Sequence, residues 1–238
     1  MKSFAEYISV QGKDILFYRP LRYAERELDT IYILDGKDGF QRLLAMESYL
    51  NLEQCRPFQI ALFPSEDWNR DYSPWPAPSP FRNGKPFAGG AGELLHFFEE
   101  HLIPEVQARF PSIGAARRSG LLGYSLGGLC ALWMFYKSTL FDYAAACSPS
   151  VWYPGWSDFV KNKSLPEGKS LYLSLGKREE KTKNPYMARV GPVMRELETH
   201  YQSRLGKNFC MEWMEGGHFQ DTARRMSEGL QWILRKEL

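Results

Sequence analysis

Short apolar runs alternate along this chain with longer segments in which apolar residues recur at helical spacing. The short runs have the length and composition of buried strands, and the longer segments predict helices that lie on a sheet. The predicted strands are Thr30–Leu34, Gln59–Phe63, Gly120–Gly123, Tyr143–Cys147, Ser170–Leu175 and Phe209–Met214. The predicted helices are Glu93–Phe110, Leu126–Tyr136, Asn184–Tyr201 and Phe219–Lys236.

This alternation predicts an α/β fold, with a mostly parallel twisted sheet and helices on both faces. Near the N-terminus, Tyr7–Val10 and Ile15–Tyr18 flank a turn that contains Gly12. These two runs predict an antiparallel hairpin at one edge of the sheet. The chain shows no internal repeat and no linker-like stretch, so we expect a single domain over residues 1–238.

Residues 64–90 break the alternation, because six prolines are interleaved there with aromatic residues. Proline removes a hydrogen-bond donor from a strand and disfavours helix, so this segment is predicted to be a long loop. Loops of this length in compact domains usually have a function or are disordered, and the aromatic content argues against disorder. Two interpretations remain open: a loop held to the surface by its aromatic rings, or a wall over a ligand pocket.

The composition bounds the class of protein. The chain is 44% hydrophobic, and its 30 Lys and Arg against 28 Asp and Glu leave a net charge of +2. Such a chain can build a core without a metal or a disulfide, and its charge gives no reason to expect a nucleic-acid or membrane partner. The four cysteines are far apart, and the N-terminus lacks the apolar segment of a signal peptide, so we expect a cytoplasmic protein.

The strongest chemical motif is Gly123-Tyr124-Ser125-Leu126-Gly127-Gly128. It lies between a predicted strand and a predicted helix, where a sharp turn can expose the hydroxyl of Ser125. Glycines on both sides let the strand and the helix approach closely. The motif therefore predicts a nucleophilic serine, although a glycine-rich turn with an incidental serine would look similar.

A serine nucleophile needs a histidine base. His96, His101 and His200 fall on predicted helix surfaces, whereas His218 follows a predicted strand and precedes a predicted helix. Open parallel sheets bind ligands at the carboxyl ends of their strands. His218 is therefore the predicted base.

The base in turn needs a carboxylate to orient it. Glu179 and Glu180 follow the predicted strand that lies between the serine and the histidine, and Glu179 is the first choice. Glu180 is the second, and Asp158 and Glu167 are weaker alternatives because they precede that strand. A solvated charged loop would give the same pattern.

Backbone N–H groups would stabilise the oxyanion of an acyl-transfer reaction. The residue after the nucleophile, Leu126, is one predicted donor. The glycine-containing turn after the strand Thr30–Leu34 supplies the second, and Lys37 is the candidate there.

These motifs together resemble the esterase branch of the α/β-hydrolase superfamily, which contains esterase D-like enzymes, feruloyl and acetyl-xylan esterases, and siderophore esterases. The resemblance extends from about residue 30 to the C-terminus. It rests on Leu34-Asp35-Gly36, Gly89-Gly90-Ala91 with Phe97 and Ile103-Pro104, the Ser125 motif, Ser148-Pro149-Ser150-Val151-Trp152-Tyr153, Gly176-Lys177-Arg178-Glu179 and Gly217-His218. It implies an α/β-hydrolase fold and a serine, acid and histidine in that chain order, here Ser125, Glu179 and His218. Some siderophore esterases of the group lack the acid.

The sequence thus predicts an enzyme that cleaves a small carboxylic ester through an acyl-enzyme, with no cofactor and no metal. A siderophore, a feruloyl or acetylated sugar, or a simple acyl ester would be the substrate. An acyltransferase and a non-catalytic binding module are the alternatives. The predicted substrate-binding residues are Trp68, Arg70, Tyr72, Trp75, Tyr124 and Trp152.

Overall fold

In the computed structural model of this protein, which describes residues 3–23, 27–110, 118–165 and 167–236, eight strands form one sheet. Its strands are β1 (Ser3–Val10), β2 (Lys13–Pro20), β3 (Asp29–Asp35), β4 (Phe58–Pro64), β7 (Ser119–Tyr124), β8 (Tyr143–Cys147), β9 (Ser170–Gly176) and β10 (Phe209–Met214). Two further strands, β5 (Pro76–Ala77) and β6 (Phe87–Ala88), pair with each other outside the sheet. The order in the sheet is β1-β2-β4-β3-β7-β8-β9-β10. Strand β2 pairs antiparallel with both of its neighbours, and the other pairs are parallel.

The helices cover both faces of the sheet. They are α1 (Gly39–Glu47), α2 (Trp68–Asp71), α3 (Ala91–Phe97), α4 (Ile103–Arg109), α5 (Leu126–Lys137), α6 (Trp156–Lys161), α7 (Val190–Leu205) and α8 (Thr222–Ile233). Helices α1 and α8 enclose one buried apolar cluster, and α3, α4, α5 and α7 enclose the other. None of the helices within the described residues combines the length and the apolar composition of a transmembrane span.

Helices α3 and α4 form one continuous rod through a wider, π-helical turn at Phe98–Leu102. Pro104 lies directly after this turn. Proline lacks an N–H and its ring crowds the preceding helical turn, so the wider turn accommodates it without ending the helix. The predicted helix Glu93–Phe110 is thereby confirmed, with this local distortion.

The predicted α/β class, the six core strands and the edge hairpin are confirmed, with strand ends shifted by at most a few residues. The short helices α1 and α6 were not predicted from the sequence. Residues 64–90, predicted to be irregular throughout, contain α2 and the β5–β6 pair. Helix α2 forms there because the Asp67 side chain accepts a hydrogen bond from the Arg70 N–H, a local cap.

The parallel strands bring the predicted site residues to one edge of the sheet. Leu34 of β3 pairs with Gly123 of β7, and Gly176 of β9 pairs with Met214 of β10. The loops that leave the carboxyl ends of these strands therefore meet on the same side. This edge is where open α/β sheets place their ligands.

We predict that Gly123→Ala lowers the free energy of unfolding by about 1–3 kcal/mol, because a Cβ at residue 123 would lie 2.3 Å from the Gly127 carbonyl oxygen. The matched control is Gly92→Ala in α3, where the nearest atom to the new Cβ is a Trp133 ring carbon at 3.9 Å. The control should be neutral or more stable by up to about 1 kcal/mol. Urea denaturation measures both, and equal midpoints for the two variants would contradict the prediction.

Candidate active site

Ser125 occupies a sharp turn between β7 and α5, with φ 57° and ψ −122°. This conformation is strained for a residue with a side chain, and tertiary contacts hold it. The Ser125 N–H donates to the Cys147 carbonyl of β8 at 3.0 Å, and the Ser125 carbonyl accepts from the Ser150 N–H at 3.0 Å. Gly127 lets the first turn of α5 approach β3, since a Cβ there would lie 2.6 Å from the Leu34 carbonyl oxygen.

A continuous row of hydrogen bonds connects three of the predicted site residues. The Ser125 hydroxyl lies 2.9 Å from His218 Nε2. On the other side of the ring, His218 Nδ1 lies 2.7 Å from Glu179 Oε2. The His218 side chain is 23% exposed and that of Glu179 is 4% exposed, so the row leads from the protein interior towards solvent. This geometry allows a proton to pass from the serine hydroxyl to the imidazole.

The Glu179 carboxylate stays ionised in its buried position. Burial acts to raise its pKa, but hydrogen bonds and charge interaction with His218, together with the Gly176 N–H and the Ser148 hydroxyl, outweigh this effect. The pKa of Glu179 therefore lies below its usual value. Glu179 Oε1 accepts from the Gly176 N–H at 2.8 Å and from the Ser148 hydroxyl at 2.7 Å, which leaves Oε2 for the imidazole.

The structure separates the two neighbouring glutamates. Glu180 points away from His218 and accepts three hydrogen bonds from Arg195, at 2.7, 2.9 and 2.9 Å. Asp158 and Glu167, the weaker alternatives for the acid, are exposed to solvent. Glu179 is therefore the carboxylate that meets the imidazole.

The other three histidines do not reach the serine. His96 and His101 are exposed, as expected. His200 is partly buried on α7, where its ring contacts Arg204. Burial and the nearby Arg204 charge lower the pKa of His200.

Sequence reasoning missed two residues that support this row, Arg225 and Ser148. Arg225 has no exposed surface, and its guanidinium donates to Glu179 Oε1 at 2.8 Å. It also lies 3.2 Å from the Tyr124 hydroxyl. Burial raises the pKa of Tyr124 to about 12, so its protonated phenol donates to the His218 carbonyl at 2.6 Å. Tyr124, predicted to bind substrate, thus contacts the backbone of the histidine loop.

The two predicted oxyanion donors lie on neighbouring segments. Leu126 is the first residue of α5, where backbone N–H groups have no acceptor within the helix. Lys37 follows Gly36 in the turn after β3. Trp68, predicted to bind substrate, packs between these segments, since Cβ atoms at Gly36 and Gly127 would lie 3.7 and 3.6 Å from its ring.

A cavity of about 230 Å³ opens beside Ser125 and His218. Among the predicted substrate-binding residues, Trp152 lines it. Its other lining residues outside the Ser125–His218–Glu179 row are Ser148, Pro149, Ser150, Arg178, Lys181, Thr182, Met187, Val190 and Phe219. The wall is thus largely apolar and carries two cations, Arg178 and Lys181.

The aromatic loop does not supply this wall, and the structure corrects three of the predicted contacts. Tyr72 is fully buried, and its hydroxyl donates to the carbonyls of Asp35 and Phe63. Trp75 donates from its indole N–H to the Pro154 carbonyl at 2.8 Å. Arg70 forms ion pairs with Asp71 and Glu93. These contacts hold the loop to the protein body, which is the first of the two interpretations left open by the sequence.

Residues 12–225 match the family described as "Putative esterase". The chain belongs to this esterase family. It also has the α/β-hydrolase fold, with the strand order and crossovers described above. This esterase therefore hydrolyses carboxylic esters, in agreement with the resemblance noted from its motifs.

Two curated relatives and one solved structure illustrate the range of similar proteins. The esterase is 24% identical to the uncharacterized protein YbbA of Bacillus subtilis over 87% of this chain and 86% of YbbA. It is 31% identical to a siderophore enterobactin esterase of Emericella nidulans over 68% of this chain and 63% of that protein. The aligned part therefore covers less than two thirds of that esterase. An IroE-like serine hydrolase of Shewanella oneidensis superposes with a TM-score of 0.75 at 18% identity, over 98% of this chain and 80% of that one.

We predict that Trp75→Ala lowers the free energy of unfolding by about 3 kcal/mol, because its ring packs on Tyr153, Trp156 and Phe159. Its kcat/KM for short-chain p-nitrophenyl esters should stay within about twofold of wild type, since the ring does not line the cavity. The contrasting variant is Trp152→Ala, which should change KM for esters with bulky acyl groups. Thermal unfolding and steady-state kinetics check both. A large loss of kcat/KM in folded Trp75→Ala would contradict the prediction and show that Trp75 contributes to substrate binding.

Proposed function

We propose that this esterase is a serine hydrolase that works through an acyl-enzyme, with Ser125 as nucleophile, His218 as base and Glu179 as the acid. The observation that carries the proposal is the row of hydrogen bonds at 2.9 and 2.7 Å that ends on a serine in a strained, open turn. Such a serine, next to an oriented imidazole, is the arrangement that acyl transfer requires.

In the proposed reaction, Ser125 Oγ attacks the ester carbonyl carbon while His218 Nε2 takes the hydroxyl proton. The carbonyl oxygen becomes an oxyanion, and the Leu126 and Lys37 N–H groups donate to it. His218 then gives its proton to the alcohol oxygen, the C–O bond breaks, and the acyl group stays on Ser125. Water, deprotonated by His218, releases the carboxylic acid and restores the serine.

Glu179 would act on the imidazole in two ways. Its Oε2 accepts a hydrogen bond from the Nδ1–H group, which leaves Nε2 unprotonated and able to take the serine proton. Its negative charge also stabilises the imidazolium that forms during each half of the reaction. The lowered pKa of Glu179 supports this role, because the carboxylate keeps its charge at neutral pH.

The cavity supports a substrate with an apolar or aromatic portion that carries an anionic group. Trp152, Met187 and Phe219 offer apolar contacts, and Phe219 is 89% exposed beside His218. Arg178 donates to the neutral Gln220 side chain, and its charge also acts on Glu215, an exposed carboxylate that pairs directly with Lys177. Arg178 and Lys181 therefore place positive charge on this wall. The relative of Emericella nidulans, described as a siderophore enterobactin esterase, supports siderophore esters as a candidate class.

We predict that Ser125→Ala lowers ester hydrolysis by at least about 10³-fold without unfolding the protein, because alanine keeps the Cβ and removes the nucleophile. Wild type should gain the mass of a fluorophosphonate adduct at Ser125, and the variant should not. p-Nitrophenyl acetate turnover and intact mass provide the measurements. A folded variant that retained turnover would remove Ser125 from the mechanism. Wild type that neither turned over nor was labelled would favour a binding module, and acyl transfer to added alcohols would favour an acyltransferase.

A paired substitution tests the acid. Glu179→Gln should lower kcat by about 10²–10⁴-fold, because a neutral amide cannot stabilise the imidazolium as a carboxylate does and its NH₂ group can favour the wrong tautomer of the ring. The matched control is Glu180→Gln, which removes an exposed ion pair with Arg195 and should leave kcat within about twofold. Equal activities of the two variants would show that the acid plays no part.

The charged wall is tested with a matched pair of esters, mono-p-nitrophenyl adipate and its methyl ester. Wild type should prefer the anionic ester, and Arg178→Gln and Lys181→Gln should each reduce that preference in kcat/KM by about 3- to 10-fold. Lys177→Gln is the control, because Lys177 pairs with Glu215 and does not line the cavity. Added salt should also weaken the preference. Equal turnover of both esters by wild type would reject the anionic class and leave the serine mechanism intact.

A further inference from the structure

Arg225 is a fully buried cation in the first turn of α8. This position is unfavourable for a positive charge, because the helix dipole places partial positive charge at the N-terminus of a helix. Burial of a guanidinium also costs several kcal/mol of desolvation, which a partner repays only with good geometry. The stability of α8 alone therefore gives no reason for an arginine here.

The two ends of the Arg225 guanidinium contact two different loops. Nη1 donates to Glu179 Oε1 at 2.8 Å, on the loop after β9. Nη2 donates to the carbonyls of Glu215 at 2.9 Å and Gly217 at 3.1 Å, on the loop after β10 that carries His218. One planar group thus fixes the acid relative to the backbone that directly precedes the histidine. Lysine could not do this, because its single ammonium lacks the rigid fork.

The surrounding backbone leaves space for this contact. Gly176 lies next to the point where the Arg225 and Glu179 side chains meet. A Cβ at residue 176 would be 2.7 Å from Arg225 Nη2 and 2.9 Å from Glu179 Oε1. Gly216 has φ 96°, a conformation that favours glycine and that turns its loop beside the guanidinium. Two glycines therefore flank the point at which Arg225 joins the loops.

Arg225 also shares its contacts with two hydroxyl groups. The Ser148 hydroxyl lies 3.0 Å from Nη1 and donates to Glu179 Oε1. The Tyr124 hydroxyl lies 3.2 Å from Nη1 and donates to the His218 carbonyl. The Ser148 hydroxyl therefore links the guanidinium to the acid, and the Tyr124 hydroxyl links it to the backbone of the histidine.

We propose that Arg225 is a positioning residue for the hydrolysis, which acts through Glu179 and the His218 loop and not through the substrate. Arg225 holds Glu179 Oε1, so that Oε2 faces His218 Nδ1. It also fixes the loop that carries His218, and this loop sets the position of the imidazole relative to the Ser125 hydroxyl. The proposal rests on the serine mechanism proposed above. The loops after β9 and β10 are also joined by backbone hydrogen bonds, from the Lys177 N–H to the Met214 carbonyl at 2.8 Å and from the Arg178 N–H to the Gly216 carbonyl at 3.0 Å. Arg225 adds the side-chain contact that ties the Glu179 carboxylate to the second of these loops.

A double-mutant cycle between Arg225→Met and Glu179→Gln tests this proposal. Alone, Arg225→Met should lower kcat by about 10²-fold and change KM by less than about threefold, because it disturbs the acid–histidine pair and leaves the cavity intact. When Arg225→Met is added to Glu179→Gln, kcat should fall by less than about a further fivefold, because the acid through which Arg225 acts is already lost. Multiplicative losses in the double variant would overturn the proposal.

The matched control is Arg56→Met. Arg56 is also largely buried, and it also joins a carboxylate, Asp29 at 2.9 Å, to a backbone carbonyl, that of Ile233 at 2.8 Å. It lies outside the residues that line the cavity. Arg56→Met should lower the unfolding temperature and leave kcat within about twofold. The control therefore distinguishes the general destabilisation caused by removing a buried arginine from a specific loss of alignment between Glu179 and His218. Equal loss of kcat in folded Arg56→Met and Arg225→Met would reject the proposal.

Arg225→Lys keeps the test decisive if Arg225→Met does not fold. Lysine retains the charge and reaches one of the two loops, so kcat should fall by about 10-fold, with a parallel fall in the rate of fluorophosphonate labelling at Ser125. The cycle with Glu179→Gln is then made with this variant. Wild-type kcat in Arg225→Lys would overturn the proposal. Absence of turnover and labelling in wild type would instead reject the serine mechanism itself.

Discussion

The backbone at Ser125 is the constraint on which the rest of the site depends. A φ of 57° is unfavourable for serine, and it persists because β7 and α5 meet at a distance that Gly123 and Gly127 permit. Hydrogen bonds to β8 and to the loop after it fix both sides of the turn. The same turn directs the hydroxyl towards His218 and sets the first N–H groups of α5 beside it. Strain at one residue thus orients both the proposed nucleophile and one of the two proposed oxyanion donors, the Leu126 N–H.

A second constraint is the buried charge cluster behind the histidine. Glu179 stays ionised although it is nearly inaccessible to solvent, because His218, a backbone N–H and a hydroxyl all favour its charged form. Arg225 adds a cation to the same cluster, and the two charges balance in a region that water does not reach. Such a cluster is a poor device for stability, but it holds groups from three segments in one geometry. The proposed mechanism depends on that geometry.

Local patterns were sufficient to predict the core of the fold. The apolar runs of the strands around Ser125 needed no tertiary information, and the glycines beside Ser125 identified the turn. Short elements such as α1 were missed, because nine residues give a weak periodic signal and their stability comes from packing on α8. Residues 64–90 misled the prediction in another way. Tyr72, Trp75 and Phe87 pack against the protein body, and composition alone does not distinguish a packed ring from one that faces a ligand.

The sequence by itself determined the fold class, the sharp turn at Ser125 and the single histidine placed after a strand, since each depends on neighbours in the chain. Only the tertiary structure decided between Glu179 and Glu180. The two are adjacent, and the short turn after β9 directs one towards His218 and the other towards Arg195. Arg225 also escaped notice, because in sequence it is one more basic residue of an amphipathic helix. Its burial and its partners arise from segments far apart in the chain, and no local pattern encodes such contacts.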